Sequence, residues 1–157
     1  MARYLGIDPG LGGGLALIET KEGAPPAFIA GIRVPVVRHR GKGMIDAREL
    51  LVWMTDLGQI DQAVIEQVAA RPGQGVTSAF TFGRATGAVE ALAVLMAETV
   101  IWTAPSVWKK DLGLGTEKRD SLDLCRLRFG TAFTFTALSD DGVAEAALLA
   151  YHAAGYR

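Results

Sequence analysis

Residues Leu5–Glu19 read LGIDPGLGGGLALIE, and the interpretation of their glycines decides the fold. A dinucleotide-binding loop needs a helix immediately after its glycines, so that the helix N-terminus faces the pyrophosphate. Here the glycines lead into Leu15–Glu19, a short apolar segment that Thr20–Gly23 breaks, which is the pattern of a strand. No Lys-Ser or Lys-Thr follows them, so a P-loop fails as well. What remains is a strand over Arg3–Asp8 ending in a carboxylate, a turn set by Pro9 and Gly10, and a second strand over Gly14–Glu19.

Outward from this hairpin, strands and helices alternate without repeat or linker. Thr20–Pro26 is a polar turn, and Ala27–Val34 a third strand; such short connections make an antiparallel meander. Val36–Met44, VVRHRGKGM, reads as a basic, glycine-bearing loop. Asp46 caps a helix through Thr55 whose apolar side carries Leu50, Val52, Trp53 and Leu57, and Gly58 ends it. Gln62–Gln67, QAVIEQ, is short, apolar and β-branched, as a buried strand is. The connection before it is long enough for a crossover, which places this fourth strand parallel to the first. A loop over Val68–Val76 carries Arg71. A long helix over Thr77–Glu98 shows Phe80, Gly83, Gly87, Leu92 and Leu95 on a close-packing face suited to a neighbouring helix or a second subunit. A fifth strand over Thr99–Thr103, helices over Pro105–Leu112 and Lys118–Phe129, and a last helix capped by Ser139 and running through Ala154 complete an α/β pattern.

Composition narrows the function classes. The 157 residues fit one compact domain over 1–157, too small to close two lobes on a nucleotide as actin-like ATPases and sugar kinases do. Half the residues are apolar, yet no run approaches the roughly 18 consecutive apolar residues of a membrane span, so no membrane is expected. The first residues lack a signal-peptide pattern, and the lone Cys125 allows neither an internal disulfide nor a cysteine zinc site. Both features suit a reducing cytosol. Cys125 itself reads as a small buried apolar residue. A net charge of −1 gives no support to a strongly basic nucleic-acid binder.

Three distant segments offer carboxylates. Asp8 ends the first strand and Glu66 the fourth; if the two are parallel neighbours, both acids reach one sheet edge, where open α/β sheets place their ligands. Burial of Glu66 would cost several kcal/mol unless compensated. Ser139–Glu145, SDDGVAE, opens the last helix, where acids also simply complement the macrodipole. Asp141 and Glu145 are four apart and share a helix face. His39 and His152 read as solvated or structural, so the donor set is all oxygen and suits Mg²⁺ or Mn²⁺ rather than zinc. No small-molecule cofactor is expected.

Among the bases, Arg33, Arg38, Arg40 and Lys42 run through a segment without acids and are the better candidates to contact an anionic partner. Lys109, Lys110, Lys118, Arg119, Arg126 and Arg128 are interleaved with acids, and Arg119 and Asp123 are spaced to pair on a solvated face. Trp53, Trp102 and Trp108 sit in apolar patterns and read as core. Phe80 and Phe82 stay open between core, dimer contact and DNA contact.

IDPG at the end of strand one, IEQ at the end of strand four and DGVAEAALLA on the last helix resemble the RuvC family of Holliday-junction resolvases, in the compact form carried by phages. APSVWKKDLGLGTEKRDSL and FGRATGAVEALA also resemble that family, so the likeness runs nearly end to end. It implies an RNase H-like fold: a mixed five-stranded sheet with three antiparallel strands, then parallel strands one, four and five, flanked by helices on both faces. It implies a homodimer that binds a four-way DNA junction or other branched DNA and nicks two opposing strands, with two metal ions per site. Position by position, the metal-binding carboxylates would be Asp8, Glu66, Asp141 and Glu145. Lys118 matches the basic residue near the scissile phosphate, and Lys109 is a weaker match. With Arg38, Arg40, Lys42 and Arg71, these lysines make the expected DNA-binding set. Two departures stand out. The last acids are four apart and end in Glu, which leaves Asp140 as an alternative to Asp141. Ala69 also stands where a base-stacking Phe is expected. A looser branched-DNA or flap nuclease and a catalytically impaired junction-binding protein are the alternative readings.

Overall fold

The computed structural model describes residues 1–157. Its seven strands are β1 (Ala2–Asp8), β2 (Gly14–Thr20), β3 (Ala27–Arg33), β4 (Val36–His39), β5 (Lys42–Ile45), β6 (Ile60–Glu66) and β7 (Ala97–Thr103). The helices are α1 (Ala47–Leu57), α2 (Val76–Met96), α3 (Pro105–Asp111), α4 (Lys118–Phe129) and α5 (Asp141–Ala153). The main sheet has the order β3-β2-β1-β6-β7. β1 to β3 form the antiparallel meander, while β6 lies parallel to β1 and β7 parallel to β6. This is the mixed five-stranded, RNase H-like α/β architecture expected.

Strand periodicity sorts the sheet into two faces. Leu5 and Ile7, Leu15 and Leu17, and Ala63 and Ile65 face α1 and α2, packing on Leu50, Met54, Val89 and Ala93. The alternate residues Ala16, Ile18 and Val64 face Trp108 of α3, Leu122 and Cys125 of α4, and the apolar body of α5. Asp8 shares the parity of Gly6, and Glu66 that of Val64. Both acids therefore end their strands on the α5 side.

Glycine sets how close α5 comes. A Cβ on Gly6 would sit 1.8 Å from the Ala146 carbonyl oxygen, and one on Gly14 would sit 2.6 Å from the Val143 nitrogen. Gly142, in the first turn of α5, meets Gly13 backbone to backbone, where a Cβ would lie 2.6 Å from the Gly13 carbonyl carbon. The glycines after Asp8 thus make both a turn and a seat for α5.

Several local expectations are corrected. Val36–Met44 lies in a hairpin rather than a loop: β4 pairs with β5, and Arg40 and Gly41, both at positive φ, close it as a tight primed turn. Arg38, Arg40 and Lys42 are exposed on this arm. Ser139 does not cap α5; it lies in a 3₁₀ turn over Leu138–Asp140, and α5 starts at Asp141. Asp46 does cap α1, accepting from the Arg48 and Glu49 amides at 3.2 and 3.0 Å, but Met54 is buried there and Val52 is exposed. α2 gives way to β7 at Ala97, two residues before the expected strand start at Thr99. Its expected face is split: Leu92 joins the core, whereas Phe80, Gly83, Gly87 and Leu95 are exposed. Trp108 is core, but Trp102 is half exposed on edge strand β7, its indole N–H donating to Glu90 at 3.0 Å.

Gly6→Ala is expected to lower stability by about 1–3 kcal/mol or more, because α5 must move off the sheet. Gly12→Ala, where a Cβ meets nothing, should stay within about 0.5 kcal/mol. Urea denaturation of both variants checks the contrast; equal losses would remove the seat argument.

Candidate functional site

β1 and β6 run side by side, with Ile7 opposite Ile65, so Asp8 and Glu66 emerge together at the carboxyl edge of the sheet. α5, held on its glycine seat, brings Asp141 from its first turn and Glu145 one turn further on. α3 follows β7 across the same edge and contributes Trp108 and Lys109; α4 opens with Lys118. The expected carboxylates Asp8, Glu66, Asp141 and Glu145 thus form one electrostatically coupled group.

Each acid is differently held. Glu66 is buried, and the indole N–H of the fully buried Trp108 donates to its Oε1 at 3.2 Å. The Lys109 ammonium donates to Glu145 Oε1 at 2.7 Å and stands 5.1 Å over the Trp108 ring. Lys118 pairs with Asp141 at 2.5 Å. Asp8 has no side-chain partner. Burial, followed by repulsion from Glu66 and Glu145, holds its carboxyl well above the usual aspartate range, with Lys109 pulling partly against them. Burial and Glu145 raise Glu66 likewise, while Lys109 and the Trp108 hydrogen bond oppose them. The Lys118 ammonium is raised by its hydrogen bond to Asp141 and by the same negative field.

Asp140 is apart from this group. Arg33 donates to its Oδ1 at 2.6 Å and the Ala137 amide to its Oδ2 at 2.9 Å, so both oxygens serve the 3₁₀ turn and its tie to β3. That pairing also neutralises Arg33, which the sequence presents as an unpaired base. Arg71 lies on the loop between β6 and α2, lining a cavity next to Glu66, and its guanidinium makes no ion pair. Asp123 pairs with Arg126 at 2.8 Å rather than with Arg119. His39 is exposed on the hairpin, and His152 bonds Asp111 at 2.8 Å. Cys125 is buried, its thiol pushed far up by desolvation. The Trp108 bond to Glu66 was not legible, since a tryptophan in an apolar pattern reads as packing; its place just before Lys109 and Lys110 is the one hint.

As they stand, no three of these side chains are arranged to hold one metal ion; the lysines occupy Glu145 and Asp141 instead. The chemistry of the set still fits a hard divalent cation. Four carboxylates face two ammonium groups, and Asp8 is left without a counterion.

No family model matches the sequence, and no curated protein matches it. Solved structures do. RuvC of Thermus thermophilus, in complex with Holliday junction substrate, matches with a TM-score of 0.66 at 18% identity, over 98% of this chain and 96% of that chain. The fold is that of RuvC. A second Thermus thermophilus RuvC structure gives a TM-score of 0.61 at 20% identity, covering 98% of this chain and 96% of that one. The yeast mitochondrial Holliday junction resolvase Ydc2 gives 0.59 at 12% identity, over 95% of this chain and 76% of that chain. At these identities the likeness is one of fold, and the RuvC fold accounts for the sheet order and for the edge at which the acids gather.

A raised folded-state pKa means that the native state holds the proton more tightly than the unfolded chain. Asp8 therefore contributes stability at low pH that is lost as pH rises from the ordinary aspartate range through its own raised value. Asp8→Asn, without added metal, is expected to melt a few degrees higher than the parent at pH 7 and to show a flatter fall with pH. Thermal melts between pH 4 and 8 check this; a less stable variant at pH 7 would contradict the assignment of strain to Asp8.

Proposed function

We propose that this protein is a metal-dependent, structure-selective endonuclease that resolves four-way junctions and related branched DNA by paired nicks, leaving 5′-phosphate and 3′-hydroxyl ends. The observation that carries the reading is the convergence of Asp8, Glu66, Asp141 and Glu145, from three segments of the chain, on one sheet edge. The RuvC fold supports it. Asp8, Glu66, Asp141 and Glu145 would hold two Mg²⁺ ions, with Mn²⁺ able to substitute; Asp140, already bonded to Arg33, is the weaker alternative to Asp141. Bound there, such cations would activate water and stabilise the leaving oxygen of a phosphodiester.

The chain's own residues supply orientation and charge. Trp108 fixes the Glu66 carboxylate by donating its indole N–H to Oε1. Lys109 and Lys118, once displaced from Glu145 and Asp141, would be free to stabilise charge building on the phosphoryl oxygens. Arg38, Arg40 and Lys42 extend on the β4–β5 arm, and Arg71 sits beside the cleft; all four are exposed bases suited to phosphate contact.

Paired nicking requires two sites, and α2 offers the means. By length and composition it is apolar enough to cross a bilayer, yet Ala85, Val89, Leu92 and Ala93 bind it into the core. Its opposite side leaves Phe80 and Leu95 66% and 77% exposed, along with Val76, Val94 and the small Gly83 and Gly87. A second copy of the chain covering this stripe makes the homodimer.

A labelled synthetic four-way junction beside a linear duplex of the same sequence tests the reading. Symmetric nicks on the junction alone are expected with Mg²⁺ or Mn²⁺, lost with EDTA and in Asp8→Asn. Lys118→Met should retain binding and lower kcat by roughly a hundred- to a thousandfold. Tight junction binding without nicking in either metal would mean a binding module instead. Gly87→Arg is expected to convert a dimer to a monomer by light scattering; a wild-type monomer, with and without junction, would remove the dimer.

A further inference from the structure

β3 ends at Arg33 on the same carboxyl edge of the sheet as β1, and the strand registers align the two ends. Asp8 pairs with Gly14 across β1 and β2, and Gly14 pairs with Arg33 across β2 and β3. Residues in one such row present their side chains to one face. Arg33 therefore points to the α5 side, as Asp8 does, two strand spacings or about 10 Å away. The glycine between them leaves the gap into which the start of α5 settles, with Asp140 held by Arg33 and Asp141 by Lys118.

Contact of Gly142 with Gly13 and of Val143 with Gly14 sets the height of that turn above the sheet. Only an isolated backbone bridge between Gly13 and Gly142, with no side-chain interlock, opposes its sliding along the edge. Lateral position falls to Asp140, which is 4% exposed and accepts from Arg33 Nε at 2.6 Å and from the Ala137 amide at 2.9 Å. Asp141 is the next residue, so its separation from Asp8 follows from this pair.

Only one nitrogen of Arg33 is used. Nη1 and Nη2 make no hydrogen bond, and the side chain is 56% exposed. Arg33 also opens an acid-free stretch, residues 33–45, that continues into Arg38, Arg40 and Lys42 on the β4–β5 arm. A DNA strand lying over the acids and running on to the arm would pass it. The Arg33–Asp140 pair carries no net charge, yet a guanidinium held by its Nε keeps a planar pair of donors that matches a phosphate.

We propose that Arg33 is an anchor shared by α5 and the substrate: Nε positions Asp140, and through it Asp141, while the two terminal nitrogens hold a phosphate next to the scissile one. The inference rests on the nuclease reading above. It adds that engagement of the strand and placement of a metal-binding carboxylate pass through one side chain. A phosphate that fixes the guanidinium also fixes the turn, and such coupling is reciprocal.

The test compares Arg33→Ala with Asp140→Asn, which keeps an oxygen for the Ala137 amide and frees Arg33; melting curves show that each is folded. Mn²⁺ binding to the DNA-free protein, read by electron paramagnetic resonance of the free ion, is expected to weaken roughly tenfold or more in both variants. Junction affinity measured against salt should lose about one unit of slope in Arg33→Ala and none in Asp140→Asn. Single-turnover cleavage at saturating junction should fall roughly ten- to a hundredfold in both. A residue that only stabilises the fold would leave the salt slope alone. If Arg33→Ala melts too low to assay, Arg33→Gln, which loses the charge but can still donate to Asp140, gives the same slope readout. An unchanged slope would remove the phosphate contact and with it the shared anchor. Unchanged Mn²⁺ affinity in Asp140→Asn would remove the positioning of Asp141. Tighter Mn²⁺ binding in Arg33→Ala would make Asp140 itself a ligand, released from its partner, and would overturn the proposal. If the wild type binds junctions and Mn²⁺ but never nicks, the nuclease reading falls, and the salt slope and Mn²⁺ binding decide the anchor alone. Absence of branched-DNA or Mn²⁺ binding would sink both.

Discussion

Everything at the functional edge depends on a contact made without side chains. α5 rests on β1 and β2 where Gly6, Gly13 and Gly14 meet Gly142 and the backbone of residues Val143 and Ala146. A helix normally packs on a sheet at a separation set by the side chains between them. Here at these points there are none, so the helix axis approaches until backbone meets backbone. That proximity lets carboxylates on short and medium side chains, Asp141 and Glu145, share a field with Asp8 at the end of β1. The tight fit has an electrostatic penalty, visible in the raised pKa of Asp8 and Glu66. The fold supports that penalty with the cores on the two sheet faces.

Much of this was legible in the sequence, for identifiable reasons. A strand of period two ending in an acid, followed at once by Pro-Gly, can be read without tertiary information. So can a β-branched apolar run ending in Glu66 after a crossover-length connection. Those two readings give parallel neighbours and a common edge. Asp141 and Glu145 follow from helical spacing. The glycine seat was only half legible, because Gly6 lies within a strand and Gly142 within a helix. Neither position announces that its missing side chain is required by the other element.

Where the sequence misled, long-range partners were responsible. The basic stretch Val36–Met44 lacks strand-like composition, but positive φ at Arg40 and Gly41 closes it into a hairpin. Asp140 and Arg33 are 107 residues apart, and only their pairing shows that Asp140 is structural and Arg33 is neutralised. α2 has apolar residues on both the core side and the outer side, so its pattern could not say which face packs. Trp102 is on edge strand β7, where its indole N–H reaches Glu90 of α2 and its ring stays half exposed, so an apolar pattern does not mean burial.

The lysines on Glu145 and Asp141 have a further consequence. They act as resident counterions, so the acidic edge can fold and stay ordered in a cell compartment poor in free divalent cations. On the proposed reading, loading with metal is an exchange of partners. Two dications arriving among four carboxylates would turn the local charge from net negative to net positive, with both ammonium groups still tethered at the rim. On that reading an anionic strand would be repelled before loading and attracted after it, so metal would come first and DNA second.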